Sequence, residues 1–141
     1  MLPPIATIIE NFEILDDGPD RYEYLIELGR ALPDFPSELL TEENRVHGCE
    51  SQVWVKSHLD QSHEPPRLNL RGTSDSVITK GLIALVMTLH DGKTPQEIAA
   101  VDVFAVFKQI GLGAHLTSKR ANGVRAMADR IHKDAARFIA A

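Results

Sequence analysis

The sequence predicts an α+β fold, and the evidence is a change of periodicity along the chain. Helical spacing of apolar residues gives way to alternation and then returns. Four stretches carry the first part of this pattern, two helical and two strand-like: residues 5–15, 20–32, 52–59 and 67–71. Helical patterns occupy the rest of the chain. We therefore expect a small antiparallel sheet of two to three strands with helices packed against it, all in a single domain of residues 1–141.

The first two helices are predicted from apolar residues three and four positions apart. The first ends at Asp16-Asp17-Gly18-Pro19, because Gly and Pro interrupt helices strongly. The second runs from about Asp20 until Pro33 and Pro36 stop it. The expected inner faces are Ile5, Ile8, Ile9 and Phe12 in the first helix, and Tyr22, Leu25, Leu28 and Leu32 in the second.

Two strands are predicted in the middle of the chain. Val53, Val55 and Leu59 are spaced two or four apart, which is typical of a strand, and 67–71 alternates in the same way. The residues between, 61–66, indicate a turn, so the strands are expected to pair as an antiparallel hairpin with one face on the core. A short additional strand before the cysteine has little support.

The C-terminal half is predicted to be helical, with clear start signals. Ser74 is expected to cap a helix at Val77–Leu89 that is apolar around most of its circumference and therefore central. Thr94-Pro95-Gln96-Glu97 is a capping box that opens a short helix. Asp102 is expected to cap a third helix that Gly111 closes. Thr117 opens the last helix, whose inner face is predicted as Val124, Met127, Ile131, Ala135 and Phe138.

Composition and charge exclude several classes of protein. The chain is 43% hydrophobic and 25% charged, as in an ordinary soluble protein. Its net charge of −5 argues against a nucleic-acid binder, and its single cysteine cannot form an intramolecular disulfide. The start Met1–Pro4 is unlike a signal peptide, and the longest apolar run is interrupted by Lys80 and too short for a bilayer. A cytoplasmic protein without membrane contact is the expectation.

The only cysteine, Cys49, lies at the point where an irregular segment becomes the first strand. A free cysteine most often behaves as a small buried hydrophobe. Its neighbours favour a reactive thiol instead. Gly48 removes bulk beside it, His47 and Glu50 are poorly suited to a buried segment, and Arg45 and His47 would stabilise the thiolate.

Three further positions are candidate site residues, each with an ordinary structural alternative. Asp75 is expected in the first turn of the central helix, where the helix dipole alone accounts for it. Lys119 and Arg120 occupy the first turn of the last helix, which is unfavourable for cations but suits an anion site; toleration on a solvated surface is the alternative. His115 is either a base for Cys49 or a capping or surface group.

The segment His47–Val55 (HGCESQVWV) resembles the active-cysteine motif of the SufE/CsdE family, the sulfur-acceptor partners of cysteine desulfurases. Three later segments resemble the same family in the same order: residues 73–84, 94–98 and 111–124. There are departures. Many members have Gln where Glu50 stands, a change that would raise the pKa of the thiol. Ser118 and Lys119 replace a common Pro-Ser.

The resemblance implies a SufE/IscU-like fold and an accessory role in iron–sulfur cluster assembly rather than an enzyme activity. Cys49 would accept a sulfane sulfur from a SufS/CsdA-type desulfurase and pass it to an iron–sulfur scaffold. Asp75 and Arg120 would support the cysteine loop and the partner interface, and relatives suggest a sheltered thiol that swings out. The resemblance implies no cofactor or metal of the chain's own, since pyridoxal phosphate belongs to the desulfurase.

Three other functions are weighed against this one. A metal or cluster scaffold needs several Cys or His ligands at close spacing, and one cysteine cannot supply them unaided. A free-standing cysteine enzyme would use Cys49 with His115 and Asp75. A non-catalytic interaction domain would not need Cys49 at all.

Overall fold

The protein has an α+β fold, as the sequence predicts. The structure is a computed structural model that describes residues 2–15, 18–112 and 116–140. The described residues form six helices and one two-stranded antiparallel sheet. In chain order the elements are α1 (Ile5–Ile14), α2 (Gly18–Arg30), β1 (Val53–Asp60), β2 (Arg67–Ser74), α3 (Val77–His90), α4 (Pro95–Ala99), α5 (Val103–Gln109) and α6 (Ser118–Ala140). Short 3-10 helices at Ser37–Leu39 and Glu42–Asn44 precede the cysteine.

The predicted hairpin is confirmed. Val53 lies opposite Ser74, and Asp60 lies opposite Arg67. The additional strand before the cysteine is reduced, in the described chain, to a single bridge between Arg45 and Trp54. The inward face of the hairpin is buried: Val53, Val55, Leu68, Leu70 and Gly72.

Strand β2 extends three residues beyond the predicted end at Arg71, and Gly72 explains why the pattern was missed. Gly72 occupies an inward position where alternation calls for an apolar side chain. A Cβ at Gly72 would lie 2.8 Å from Ile83 Cγ2, so helix α3 leaves no room for one. The position is part of the strand, although it gives no hydrophobic signal.

Helix α3 is the centre of the core, as predicted from its apolar circumference. Its segment Leu82–Met87 is buried throughout. Helix α2 packs on it at backbone distance, because a Cβ on Gly81 would lie 2.3 Å from the Leu25 carbonyl oxygen. Only glycine permits this approach. In α2, however, Tyr22 is exposed, and Tyr24 packs on the core instead, edge-on to Phe12 with ring centroids 5.0 Å apart.

Helix α3 begins at Val77, as predicted, but its capping residue differs from the prediction. Ser74 is the last residue of β2, and Ser76 is the N-cap, accepting a hydrogen bond from the Thr79 N–H. Asp75 therefore precedes the helix instead of lying in its first turn. The reason is the longer strand: β2 holds Ser74 in the sheet, and the helix begins only after the chain has turned.

The other predicted caps of the C-terminal half are confirmed, whereas α2 begins at Gly18, two residues before its predicted start at about Asp20. Thr94 and Glu97 form the capping box of α4, and the Asp102 carboxylate accepts from the Ala105 N–H at 3.1 Å. Thr117 accepts from the Arg120 N–H at 3.2 Å and so caps α6. Most of the predicted inner face of α6 is buried, and Phe138 is half-buried. Within the described chain, no helix combines the length and apolar character needed to cross a bilayer.

Candidate functional site

Cys49 lies on the irregular segment 47–52, the cysteine segment, which runs from Val46 to the start of strand β1 at Val53. The segment enters from buried Val46, whose N–H donates to the Val53 carbonyl at 2.9 Å. Gly48 has φ +94°, a conformation that other residues rarely adopt. This turn directs the side chain of Cys49 toward the N-terminal half of α6.

The thiol of Cys49 is half-buried against Gly123 of α6. Its Sγ lies 3.6 Å from the Gly123 carbonyl oxygen, to which the thiol donates a weak hydrogen bond. A Cβ on residue 123 would lie 3.3 Å from that sulfur. The missing side chain of Gly123 is therefore what makes room for the thiol.

The thiol also borders a cleft of about 220 Å³ between α3, α6 and the cysteine segment. The cleft has an apolar side formed by α3 and α6 and a polar side formed by hydroxyls and charged groups. The apolar lining is Ile78, Leu82, Val124 and Met127, and the polar lining is Glu50, Ser51, Ser76, Thr79, Lys119 and Arg120.

Burial raises the pKa of the Cys49 thiol, and the Arg45 guanidinium opposes it with a smaller effect. Arg45 favours the thiolate, as expected, while its guanidinium lies 5.5 Å from the centre of the Trp54 ring. The sequence predicted this rise in the pKa from the charge of Glu50, but its cause is desolvation of the thiol. The resting thiol is therefore protonated at neutral pH.

The charged residues on either side of Cys49 are largely engaged with other side chains. His47 pairs with Glu42, and both are exposed. Glu50 lies 3.8 Å from the Lys119 Nζ, again between exposed groups. Two of the three departures from the family pattern, Glu50 and Lys119, thus lie close together, and both line the cleft with Arg120.

Asp75 lies at the C-terminal end of the cysteine segment. Its carboxylate accepts from the Gln52 N–H at 3.0 Å, and its own N–H donates to the Gln52 carbonyl at 3.3 Å. Asp75 therefore joins the start of α3 to the cysteine segment. This contact replaces the helix-dipole explanation given from the sequence.

The structure brings together most of the predicted site residues. Cys49, Glu50, Lys119 and Arg120 border one cleft, and Asp75 bonds to Gln52, which follows the lining residue Ser51. His115 lies outside the described residues, so its proposed pairing with Cys49 is untested. Sequence reasoning missed Gly123 and Thr79. A glycine inside a predicted helix was the available signal for Gly123, since glycine is unfavourable there without a packing reason.

Among the described residues, no group of three or more His, Cys, Asp or Glu side chains is placed to hold a metal ion.

The fold and the site define a class: a small α+β domain with one half-buried thiol beside a cleft. Within that class, the chain belongs to the SufE family. The family model described as "Fe-S metabolism associated domain" matches residues 6–135. The expected family is confirmed, together with its general association with iron–sulfur metabolism.

Two curated relatives and one solved structure are similar to the chain. An uncharacterized SufE-like protein of Rhizobium etli is 48% identical over 128 residues, covering 91% of this chain and 86% of the relative. One of Rhizobium meliloti is 46% identical over 128 residues, covering 91% of each. The solution structure of a hypothetical protein from Thermus thermophilus matches over 100% of both chains with a TM-score of 0.75 and 22% identity, which supports the fold alone.

Proposed function

We propose that this protein accepts a sulfane sulfur on Cys49 from a pyridoxal-phosphate cysteine desulfurase and passes it on for iron–sulfur cluster assembly. The observation that carries the proposal is the position of Cys49: the sole thiol of a SufE-family chain borders an open cleft on an irregular segment. In this role the protein is an accessory carrier. The cofactor that releases sulfur from L-cysteine belongs to the partner.

The transfer step is an exchange at sulfur. Once Cys49 has lost its proton, its thiolate attacks the outer sulfur of the donor's persulfide, R–S–SH. A bond forms between Cys49 Sγ and that sulfur, and the donor's S–S bond breaks. The electron pair leaves with the donor's inner sulfur, which becomes R–S⁻. The products are a Cys49 persulfide and a donor thiolate, so no external oxidant or reductant is needed.

Burial of the thiol fits a carrier that is inactive until it meets its partner. A protonated thiol is a poor nucleophile. Displacement of Cys49 from Gly123 toward solvent would remove the desolvation that raises the pKa of the thiol. The Arg45 guanidinium would then favour the thiolate without the larger opposing effect of burial.

The surrounding residues have supporting roles in this proposal. Gly48 permits the turn at Cys49, and Asp75 holds the adjoining residue Gln52. Arg120 supplies positive charge in the cleft for the anionic sulfur of the donor. His47 and Glu50, both exposed, lie where a partner would contact the segment.

Intact mass spectrometry tests the transfer. The protein is mixed with a cysteine desulfurase and L-cysteine without reductant, and Cys49→Ser serves as the control. We expect the wild-type chain to gain one sulfur atom that dithiothreitol removes, and the variant to gain none. The reductant separates a persulfide from a sulfinic acid of similar mass, which it does not reverse. Absence of the gain with several desulfurases, none of them accelerated, would exclude the acceptor role.

A further inference from the structure

The two ends of the cysteine segment are held very differently. Residues 47–50 make no backbone hydrogen bond to another described residue. Their side chains make a weak bond from Cys49 Sγ to Gly123 and the exposed pairs of His47 with Glu42 and Glu50 with Lys119. Exposed ion pairs contribute little to stability, so these contacts restrain residues 47–50 only weakly.

Residues 51 and 52, by contrast, are joined to the start of α3 by a continuous set of hydrogen bonds. The Ser51 hydroxyl donates to Thr79 Oγ1 at 2.9 Å, and the Ser74 hydroxyl donates to Ser51 Oγ at 3.3 Å. The Ser76 N–H donates to Ser74 Oγ at 3.1 Å. Gln52 is fixed next to them through its backbone bonds.

Thr79 is the member of this set that links the segment to the central helix. Its own N–H donates to the N-cap Ser76, so Thr79 is fixed in the first turn of α3. It also lines the cleft beside Cys49. Half-buried hydroxyls that are bonded to one another hold their positions, because breaking one bond leaves a partner unsatisfied.

We propose that Thr79 is a positioning residue for the Cys49 reaction: through Ser51 it anchors the C-terminal end of the cysteine segment and fixes the hinge about which Cys49 leaves Gly123. The hinge lies between Glu50 and Ser51, where the weakly restrained residues 47–50 meet the hydrogen-bonded residues 51 and 52. The inference rests on the proposed function, but its central measurement needs no partner protein.

The test compares Thr79→Val with Thr79→Ser. Valine keeps the shape of the side chain and removes the hydroxyl, whereas serine keeps the hydroxyl. With the anchor lost, Cys49 should rest less firmly against Gly123. We expect iodoacetamide to alkylate Thr79→Val about three- to tenfold faster than wild type, the effect of one hydrogen bond, with a lower pH midpoint of the rate. Thr79→Ser should restore both values.

Two controls separate anchoring from general loss of stability. Thr88 is also half-buried on α3, and its hydroxyl donates to the Ala84 carbonyl at 2.7 Å, away from the cleft. Thr88→Val should leave the alkylation rate unchanged. Ser51→Ala removes the bond to Thr79 and also the bond from Ser74, so its alkylation should be at least as fast as that of Thr79→Val. The double variant should show no increase beyond Ser51→Ala, because the bond that Thr79→Val removes is already lost in that variant.

Sulfur transfer then connects the anchor to function. At saturating desulfurase, Thr79→Val should acquire sulfur about three- to tenfold more slowly than wild type. Without the bond to Ser51, the segment no longer holds Cys49 in a fixed position relative to the donor persulfide. Unchanged alkylation and midpoint in Thr79→Val, or equal effects in Thr88→Val, would overturn the anchor. If alkylation changes as expected but wild type acquires no sulfur, the anchor stands and the proposed function fails.

Discussion

Gly123 is the residue against which the Cys49 thiol rests, and replacing it tests that contact directly. In Gly123→Ala the new Cβ would lie 3.3 Å from Sγ, so the thiol must move outward by a few tenths of an ångström or leave. Alanine is also favoured over glycine inside a helix by about 1 kcal/mol. We therefore expect faster alkylation of Cys49 with no loss of stability against urea.

The exposed Ala136 on the same helix provides the matched control. Ala136→Gly should reduce stability by about 1 kcal/mol, the difference in helix propensity, and leave the thiol untouched. A Gly123→Ala variant whose alkylation rate equals that of wild type would show that Gly123 does not shelter the thiol.

At this scale the sequence predicted the candidate thiol but only part of its surroundings. Cys49, Glu50, Asp75 and Arg120 could be found because local pattern, charge and a family motif all pointed to them. The contacts with Gly123 and Thr79 could not be predicted, since they depend on how α3 and α6 pack beside the cysteine segment. The number of residues between Cys49 and these positions does not indicate how close they lie in the folded protein.

Among the elements, α3 lines the cleft and packs against α2 so closely that Gly81 has no room for a side chain. Gly81→Ala gains helix propensity but places a Cβ 2.3 Å from the Leu25 carbonyl oxygen, which the helices can accommodate only by separating. Overpacking of this kind costs about 1–3 kcal/mol. Because the clash is with backbone, its cost belongs in the upper part of that range, about 2–3 kcal/mol, and the gain in helix propensity offsets about 1 kcal/mol. We therefore expect a net loss of about 1–2 kcal/mol in the free energy of unfolding, measured in urea.

The neighbouring residue Lys80 supplies the control for that measurement. Lys80→Ala keeps the Cβ already present and should change the free energy of unfolding by no more than about 0.5 kcal/mol. If Gly81→Ala proved as stable as Lys80→Ala, close backbone packing of α2 on α3 would be contradicted.

Predictions for the elements failed where tertiary packing outweighed local pattern. The end of β2 was placed too early because Gly72 gives no alternation, although α3 requires glycine there. Ser74 has the chemistry of an N-cap, but its pairing with Val53 keeps it in the sheet, and Ser76 takes that role. The capping box at Thr94 was predictable because its hydrogen bonds lie within four consecutive residues.

For the molecule as a whole, two histidines connect the central helix to the C-terminal helix. His90 is fully buried in α3, and its Nδ1–H donates to the Val86 carbonyl at 2.7 Å. Its Nε2 must then accept from His132 of α6, 3.3 Å away. Burial lowers the pKa of His90 to about 4, and the nearby charges of His132 and Lys93 act in the same direction.

This arrangement predicts a loss of stability in mild acid. An unfolded chain binds a proton at this histidine near pH 6.5, whereas the folded protein resists protonation until about pH 4. The unfolded state therefore holds more protons between these values, and stability falls as the pH is lowered. From pH 7 to pH 5, His90 alone should lower the free energy of unfolding by about 2 kcal/mol.

Urea unfolding at pH 7 and pH 5 tests this expectation. Between the two pH values, His90→Gln should lose about 2 kcal/mol less of its free energy of unfolding than wild type loses. His58 is exposed, and His58→Gln should lose as much as wild type. Equal pH dependence in wild type and His90→Gln would mean that His90 is not held neutral between α3 and α6.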